Sequence, residues 1–188
     1  AWLTAEEDDG SLGRFWAHLH EALGNVAPGL GDLVAASLAI PHRASAAELG
    51  RILADEITDH GDPVRIVIDD VHRIPPGEVH DFLIGLLELA PSSLRFLLTA
   101  RTEPPLALDR FRLRGQVNDV LSEELLFNED EVRAFPANLH GDGRARYTAE
   151  EAEAVWRQTG GWAAGLRLAS LRRSVDTEIV RRRDTRPA

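Results

Sequence analysis

The amino-acid sequence predicts an α/β fold, in which a partial parallel sheet with flanking helices is followed by a small all-helical region. Three observations support this prediction. Val64 to Ile68 and Leu94 to Ala100 are short apolar runs of the kind found in the strands of parallel sheets. Helical patterns separate the two runs, as they do in βα units. After about residue 124 the strand signals stop and only helical patterns remain.

The part of the chain before residue 64 is predicted to contain one short strand and three helices. Apolar residues at helical spacing, capping residues and proline or glycine breaks define these elements. In chain order they are a strand over Ala1 to Ala5, a loop over the acidic run Glu6 to Gly10, a helix capped by Ser11, an apolar helix over Leu33 to Ile40, and a helix whose capping box is Ser45 and Glu48.

Residues 64–124 are predicted to alternate between strands and helices. Val64 to Ile68 is apolar and β-branched apart from Arg65, which predicts a strand buried on both faces. The elements after it are a helix with Val79, Phe82 and Leu86 on one face, the strand Leu94 to Ala100, a short helix with Leu108 and Phe111, and a third short strand over Val117 to Leu121.

Residues 125–188 are predicted to form the all-helical region. Two capping boxes mark helix starts, Asn128 with Glu131 and Thr148 with Glu151. Gly160 and Gly161 break the chain before a last helix over Trp162 to Arg173. We therefore divide the sequence into a partial α/β domain, 1–124, and a helical subdomain, 125–188.

The composition excludes several function classes. The 188 residues carry a formal net charge of -10. This argues against non-specific nucleic-acid binding, because such binding depends on Lys and Arg side chains that neutralise phosphates. The absence of Cys excludes disulfides and thiolate chemistry. No apolar run reaches the ~20 residues that span a bilayer, and no signal peptide is evident, so we expect a cytoplasmic protein without membrane contact.

Two acids follow the first buried run and are the main candidates for chemistry. Asp69 and Asp70 come directly after Ile68, at the strand end where open α/β sheets bind their ligands. There, Asp69 is a candidate metal ligand for Mg²⁺, and the second acid, Asp70, is a candidate for activating a water molecule. The alternative is that either acid only caps a loop.

Polar residues also follow the second run. Thr99 and Arg101 are expected at the same sheet edge as Asp69, which makes both candidates for contact with a bound nucleotide. A cation there could neutralise a terminal phosphate. The alternative for Arg101 is a salt bridge to Asp69 or Asp70. Both interpretations place the three residues close together.

Five short segments, in this order, carry a resemblance to a known family. They are Ala1-Trp2-Leu3-Thr4, Arg14-Phe15-Trp16, Ile68-Asp69-Asp70-Val71-His72, the segment Leu98 to Pro105, and the segment Gly160 to Ala169. Together they resemble the STAND-type ATPase region of MalT-like, large LuxR-family transcriptional regulators. The resemblance implies a P-loop-type sheet followed by a helical lid, in a signal-transducing switch that binds ATP and Mg²⁺.

The resemblance implies roles for individual residues. Asp69 matches the Walker B acid that supports Mg²⁺, and Asp70 matches the neighbouring acid associated with hydrolysis. Arg101 matches the sensor arginine. The segment Gly161, Trp162 and Ala163 matches the lid motif that packs near adenine, although many relatives have Pro where this chain has Ala163.

The P-loop itself is missing from the sequence. The motif G-x-x-x-x-G-K-[ST] requires Lys, and the chain contains none. In the family the P-loop precedes the strand that matches Ala1 to Leu3, so we expect this chain to be part of a longer protein. The missing strand would leave sheet edges unpaired, which predicts homo-oligomer formation through those edges.

These observations lead to one main functional hypothesis and two alternatives. The chain is expected to be a fragment of an ATP-dependent switch that holds no tightly bound cofactor and has no ATPase activity of its own, while the parent hydrolyses ATP slowly. DNA binding would reside in a helix-turn-helix outside this chain. The alternatives are a non-catalytic protein-interaction module and a metal-dependent phosphohydrolase that uses His80, Asp81, His60, His72 and Asp69.

Overall fold

The computed structural model describes residues 1–40, 44–135 and 147–172. It divides the chain into two compact units, Ala1–Val117 and Asn118–Ala188. The elements of the first unit are the strands β1 (Trp2–Thr4), β2 (Val64–Asp69) and β3 (Leu94–Leu98), and the helices α1 (Leu12–Gly24), α2 (Asp32–Leu38), α3 (Ala46–His60), α4 (Glu78–Glu88) and α5 (Asp109–Arg112). Those of the second unit are the helices α6 (Glu129–Ala134), α7 (Ala149–Thr159) and α8 (163–172).

The predicted α/β class is confirmed. The three strands form one parallel sheet in the order β1-β2-β3, so each crossover leads to the adjacent strand. In the pairing register, Trp2 lies beside Val67, and Val67 lies beside Leu97. Chain order and spatial order therefore coincide across the sheet.

One face of this sheet is buried and the other is exposed. Leu3, Ile66 and Ile68 belong to the buried core, which also contains the apolar faces of α1, α3 and α4. On the opposite face, Trp2 and Leu97 are 62% and 55% exposed. The prediction that Val64 to Ile68 is buried on both faces is therefore wrong, because the described helices of this unit pack against one face only.

The crossover helices α3 and α4 pack unusually closely. Two helical glycines, Gly50 and Gly85, lie where they cross. A methyl group on Gly50 would collide with the backbone carbonyl of Phe82, and one on Gly85 with that of Ala47. Glycine is thus required at both positions by close approach of the two backbones.

Local capping signals predicted several helix starts correctly. Ser45 and Glu48 form the capping box of α3, and their hydrogen bonds lower the pKa of the Glu48 carboxyl. The boxes of α6 and α7 also form as predicted, from Asn128 with Glu131 and from Thr148 with Glu151. Ser11 precedes α1, but its side chain makes no capping hydrogen bond.

The second unit has a small core. Val132, Tyr147, Ala152 and Leu166 are its buried apolar residues in the described part of the chain. The hydroxyl groups of Tyr147 and Ser170 share a hydrogen bond of 2.8 Å within it. The last predicted helix is present as α8, while its final residue, Arg173, lies outside the described ranges.

Two predicted local structures are wrong. Val117 to Leu121 is not a strand, and Val120 and Leu121 are 57% and 61% exposed. A strand needs a hydrogen-bonded neighbour, and none of the described strands pairs with this segment. The acidic run predicted as a loop instead forms a 3₁₀ turn over Glu7–Gly10, in which Asp9 is fully buried.

Candidate functional site

The carboxyl ends of β2 and β3 bring three of the predicted site residues together. β2 ends at Asp69, and Thr99 directly follows β3. The Thr99 hydroxyl donates a hydrogen bond to Asp69 Oδ1 at 2.5 Å and accepts one from the Asp70 backbone N–H at 2.9 Å. One hydroxyl group therefore bridges the two consecutive acids.

Backbone hydrogen bonds strengthen the same junction. The Thr99 N–H donates to the Ile68 carbonyl at 3.1 Å, and the Val71 N–H donates to the Thr99 carbonyl at 2.9 Å. Between these two bonds Asp70 adopts a left-handed conformation, with φ of 57° and ψ of 37°. Asp tolerates this conformation better than most residues, and Thr99 accepts hydrogen bonds from the N–H groups of Asp70 and of the next residue, Val71.

A polar cleft of about 410 Å³ opens beside Asp70. Its lining is entirely ionisable: Glu7, Asp70, His72, Arg73 and Arg101. The 3₁₀ turn Val71–Arg73 supplies two of these side chains. A cleft with two carboxylates and two guanidinium groups suits a small charged ligand rather than an apolar one.

The contacts around Asp70 separate the two interpretations of Arg101. Arg101 lines the cleft together with Asp70, and its side chain is exposed. Among the described residues, no ion pair joins Arg101 to Asp69 or Asp70. Within the described part of the chain, the ionisable side chain nearest to the Asp70 carboxylate in an ion-pair geometry is His72. Its Nδ1 lies 3.8 Å from Asp70 Oδ1, which is beyond hydrogen-bonding distance. Arg101 is therefore available to the cleft.

Sequence reasoning missed the contribution of the first 3₁₀ turn. Glu7 enters the cleft because the buried Asp9 anchors the turn. Asp9 Oδ2 accepts a hydrogen bond from the Glu6 N–H at 2.9 Å, and Asp9 Oδ1 lies 3.0 Å from His18 Nδ1. The spacing of Glu6 and Asp9, three residues apart, is that of a capping box and could have revealed the turn.

The predicted lid residues lie in the second unit. Gly161 has φ of 77° and pairs through its carbonyl with the Phe127 N–H at 2.9 Å. Trp162 is 60% exposed, and Ala163 is exposed as well. Their contact with a nucleotide stays a prediction.

The metal-dependent phosphohydrolase hypothesis gains no support from the geometry. No group of three or more His, Asp or Glu side chains in the described ranges could hold a metal ion. His80, a principal ligand in that hypothesis, is 4% exposed within the core face of α4, and this burial lowers its pKa. A buried neutral imidazole in an apolar helix face is a packing residue.

Every helix in the described ranges is too short or too polar to cross a membrane.

Comparison with known proteins identifies homologous segments in much longer chains. The chain is 32% identical over 175 residues to serine/threonine-protein kinase PknK of Mycobacterium tuberculosis, which covers 91% of this chain and 15% of the kinase. It is 29% identical over 173 residues to the HTH-type transcriptional regulator MalT of Serratia proteamaculans, covering 90% of this chain and 18% of the regulator. MalT of Klebsiella pneumoniae is 27% identical over 175 residues. No protein-family model matches the chain.

These matches establish homology to MalT-type regulators, as the sequence resemblance implied. The chain spans about a sixth of the length of the curated relatives it matches.

Proposed function

We propose that this chain is part of the ATP-dependent signal-transducing switch domain of a LuxR-type transcriptional regulator. The observation that carries the proposal is the junction at the carboxyl end of the sheet. There the Thr99 hydroxyl bridges Asp69 and Asp70, beside a cleft that Arg101 lines. Open α/β sheets bind ligands at this edge, at the ends of neighbouring strands.

The donor set at this junction fits Mg²⁺ and a nucleotide phosphate. Thr99 occupies Asp69 Oδ1, so Oδ2 is the oxygen of Asp69 left to face a cation or its water shell. Asp70 and Arg101 share the cleft, where a carboxylate can orient water and a guanidinium can bind a phosphate. When bound, Mg²⁺ would neutralise charge on the phosphates; the chain's own residues hold the acids in position.

The uncovered sheet face supports the idea that a strand and helix are contributed by chain outside this sequence. Crossovers between parallel strands are right-handed, so successive steps in one direction put their helices on one face. The steps from β1 to β3 run in one direction, which agrees with a single covered face. If a strand preceded β1 in the chain and paired with the outer edge of β3, the connection from that strand to β1 would cross the sheet in the opposite direction. Its crossover helix would then cover Trp2, Val67 and Leu97.

That topology corresponds to the P-loop strand and helix which the resemblance implies. Without a P-loop the backbone N–H groups that cradle the phosphates are absent, together with the lysine. We therefore propose that this chain alone binds ATP poorly and hydrolyses none, and that the longer protein is a slow ATPase switch.

The identity of the relatives favours a switch over an output domain. The same segment matches a protein named as a kinase and proteins named as HTH-type regulators. A segment shared by proteins whose names give different activities is more consistent with regulation than with phosphorylating a substrate or binding DNA. DNA recognition would accordingly reside elsewhere in the regulator.

Nucleotide binding by two forms of the protein tests this proposal. Titration of the 188-residue chain with MgATP should give no saturable binding and no phosphate release. The same chain extended upstream through a Gly-rich loop ending in Lys-Ser or Lys-Thr should bind ATP, and Asp70→Asn should abolish its turnover while retaining binding. Failure of the extended protein to bind ATP, or turnover by the short chain that Asp70→Asn abolishes, would overturn the proposal.

A second candidate function is a protein-interaction module that self-associates through the open sheet. Two features favour it: the exposed side chains of Trp2 and Leu97, and the edge of β3 that pairs with none of the described strands. Such edges pair with other chains. Sedimentation of the 188-residue chain should then show dimers that Leu97→Glu dissociates. A monomer at all concentrations would contradict this candidate and leave the switch proposal intact.

A further inference from the structure

We propose that Thr99 is a positioning residue that fixes both acids of the site and couples them to the segment carrying Arg101. This inference rests on the proposed function, because it assigns Thr99 a role in the hydrolysis that Asp70 would support. It also differs from the sequence-based expectation that Thr99 contacts the nucleotide.

The Thr99 hydroxyl uses its single hydrogen within the junction. A hydroxyl has one hydrogen to donate, and Thr99 donates it to Asp69 Oδ1 at 2.5 Å. One of its lone pairs accepts the Asp70 N–H at 2.9 Å. The only donor on this side chain is therefore committed to a carboxylate, in a short charge-assisted bond. Thr99 has no hydrogen left to offer a phosphate oxygen.

The conformation of Asp70 carries the second step. Its left-handed backbone is unfavourable for a residue with a Cβ, so contacts with neighbouring residues must hold it. Thr99 provides them on both sides, through its hydroxyl to the Asp70 N–H and its carbonyl to the Val71 N–H. This conformation directs the chain so that Asp70 lines the cleft.

The position of Thr99 in the chain carries the third step. Thr99 lies two residues before Arg101, which lines the same cleft as Asp70. A ligand that draws Arg101 inward pulls on the end of β3, and Thr99 transmits this displacement to residues 68–71 through four hydrogen bonds. The acid that would activate water is thereby linked to the cation that would sense the phosphate.

Amide hydrogen exchange on the 188-residue chain tests the clamp without any nucleotide. Thr99→Val keeps the shape of the side chain but removes both hydroxyl hydrogen bonds. Exchange at the Asp70 N–H should accelerate about tenfold, since the net value of one hydrogen bond corresponds to roughly that factor. Exchange at the Val71 N–H, which donates to a backbone carbonyl, should change less. Thr99→Ser should restore the protection of Asp70.

Matched variants keep this test decisive. Thr102→Val, at an exposed threonine three residues further on, should leave Asp70 exchange unchanged. Thr99→Ala serves as a second variant without the hydroxyl if Thr99→Val does not fold, as judged by circular dichroism. Unchanged Asp70 protection in the folded hydroxyl-free variants would overturn the clamp.

Kinetics of the form extended through the P-loop test the functional role. Thr99→Val should lower kcat for ATP hydrolysis by about tenfold to a hundredfold, because misplacing a catalytic group by about 1 Å has effects of this size. The KM for ATP should stay within about twofold, and Thr99→Ser should restore kcat. A raised KM with kcat retained would assign Thr99 to nucleotide binding and overturn the positioning role. If the unmodified extended protein binds no ATP, the proposed function fails, whereas the exchange result still decides the clamp.

Discussion

The two units of this chain differ in the number of buried apolar side chains that hold their elements together. In the described part of Ala1–Val117, twenty-five buried apolar residues form one contiguous core, and most of them come from the sheet and from α1, α3 and α4. In the described part of Asn118–Ala188, four buried apolar residues form the core. Stabilisation is thus distributed over many side chains in the first unit and concentrated on few contacts in the second.

The second unit is organised around the backbone of one residue. Phe127 donates its N–H to Gly161, and its carbonyl accepts the Trp156 indole N–H at 3.1 Å. Its ring also meets that of Phe135 edge-to-face, with the centroids 5.8 Å apart. Because the described core of this unit is small, we expect the unit to depend on these polar and aromatic contacts. Single changes near Phe127 should therefore affect it more than comparable changes affect the first unit.

The largest expected effect breaks the helix crossing of the first unit. Gly50→Ala or Gly85→Ala places a methyl group against a backbone carbonyl, which forces α3 and α4 apart. We expect the free energy of unfolding to fall by about 3 kcal/mol, at the upper end of overpacking effects. Urea denaturation followed by circular dichroism measures this loss.

The matched control lies in the same unit. Gly13 is also helical, but nothing lies within 4 Å of an added methyl group. Gly13→Ala should therefore raise the free energy of unfolding by up to about 1 kcal/mol through helix propensity. If Gly50→Ala stabilised the protein as Gly13→Ala does, the close crossing would be absent.

The next effect tests the concentration of contacts in the second unit. Gly161→Ala would collide with the Phe127 carbonyl and strain a residue whose φ is 77°. We expect a loss of about 2–3 kcal/mol from the two causes together. Hydrogen exchange should accelerate in α7 and α8 but not in α3 and α4.

The neighbouring glycine separates strain from collision. Gly160 also has positive φ, but an added methyl group there meets nothing within 4 Å. Gly160→Ala should lose only about 1 kcal/mol. Equal losses at the two positions would show that the contact with Phe127 contributes nothing.

Two helix-cap substitutions, one in each unit, compare how the units respond to the loss of a capping hydrogen bond. Ser45→Ala and Thr148→Ala each remove an N-cap side chain that accepts a backbone hydrogen bond, at a cost of about 1 kcal/mol. In the first unit, the lost free energy should lower the stability of the unit as a whole, because α3 packs in a large core. In the second unit, it should appear as local opening of α7. Native-state hydrogen exchange would reveal faster exchange confined to α7 for Thr148→Ala. Equal local opening of α3 in Ser45→Ala would contradict the contrast.

The smallest effect concerns pH. Burial lowers the pKa of His80 in the folded state, so the unfolded chain binds more protons than the folded chain below about pH 6.5. The stability that His80 contributes is therefore present above its unfolded pKa and is lost as the pH falls towards its folded pKa. His80→Leu should flatten the dependence between pH 7.5 and 5, measured by urea denaturation.

An exposed histidine provides the control for this measurement. His60→Gln, at the exposed end of α3, is the control for replacing a histidine that lies outside the core. The carboxyls with lowered pKa, Glu48 and Glu88, act at more acidic pH, where stability is lost as they become protonated. A slope unaffected by His80→Leu would mean that the pKa of His80 is the same in the folded and the unfolded chain.

The sequence determined the features that depend on nearby residues. The capping boxes of α3, α6 and α7 follow from hydrogen bonds between residues three apart. The order of strands and helices follows from apolar periodicity. Asp69 and Thr99 were expected at one edge because parallel strands end on the same side of their sheet, and the pairing of β2 with β3 brings them together.

Tertiary structure decided the features that depend on distant partners. Val117 to Leu121 has the composition of a strand but pairs with none of the described strands. β2 has the composition of a two-sided core strand, but the described helices of its unit pack against one face. The buried Asp9 lies beside His18, and the left-handed Asp70 bonds to Thr99, and neither partner is a near neighbour in the sequence. The composition of a segment limits which contacts it can make. Which of them it does make depends on residues that are distant in the sequence and meet it only in the folded chain.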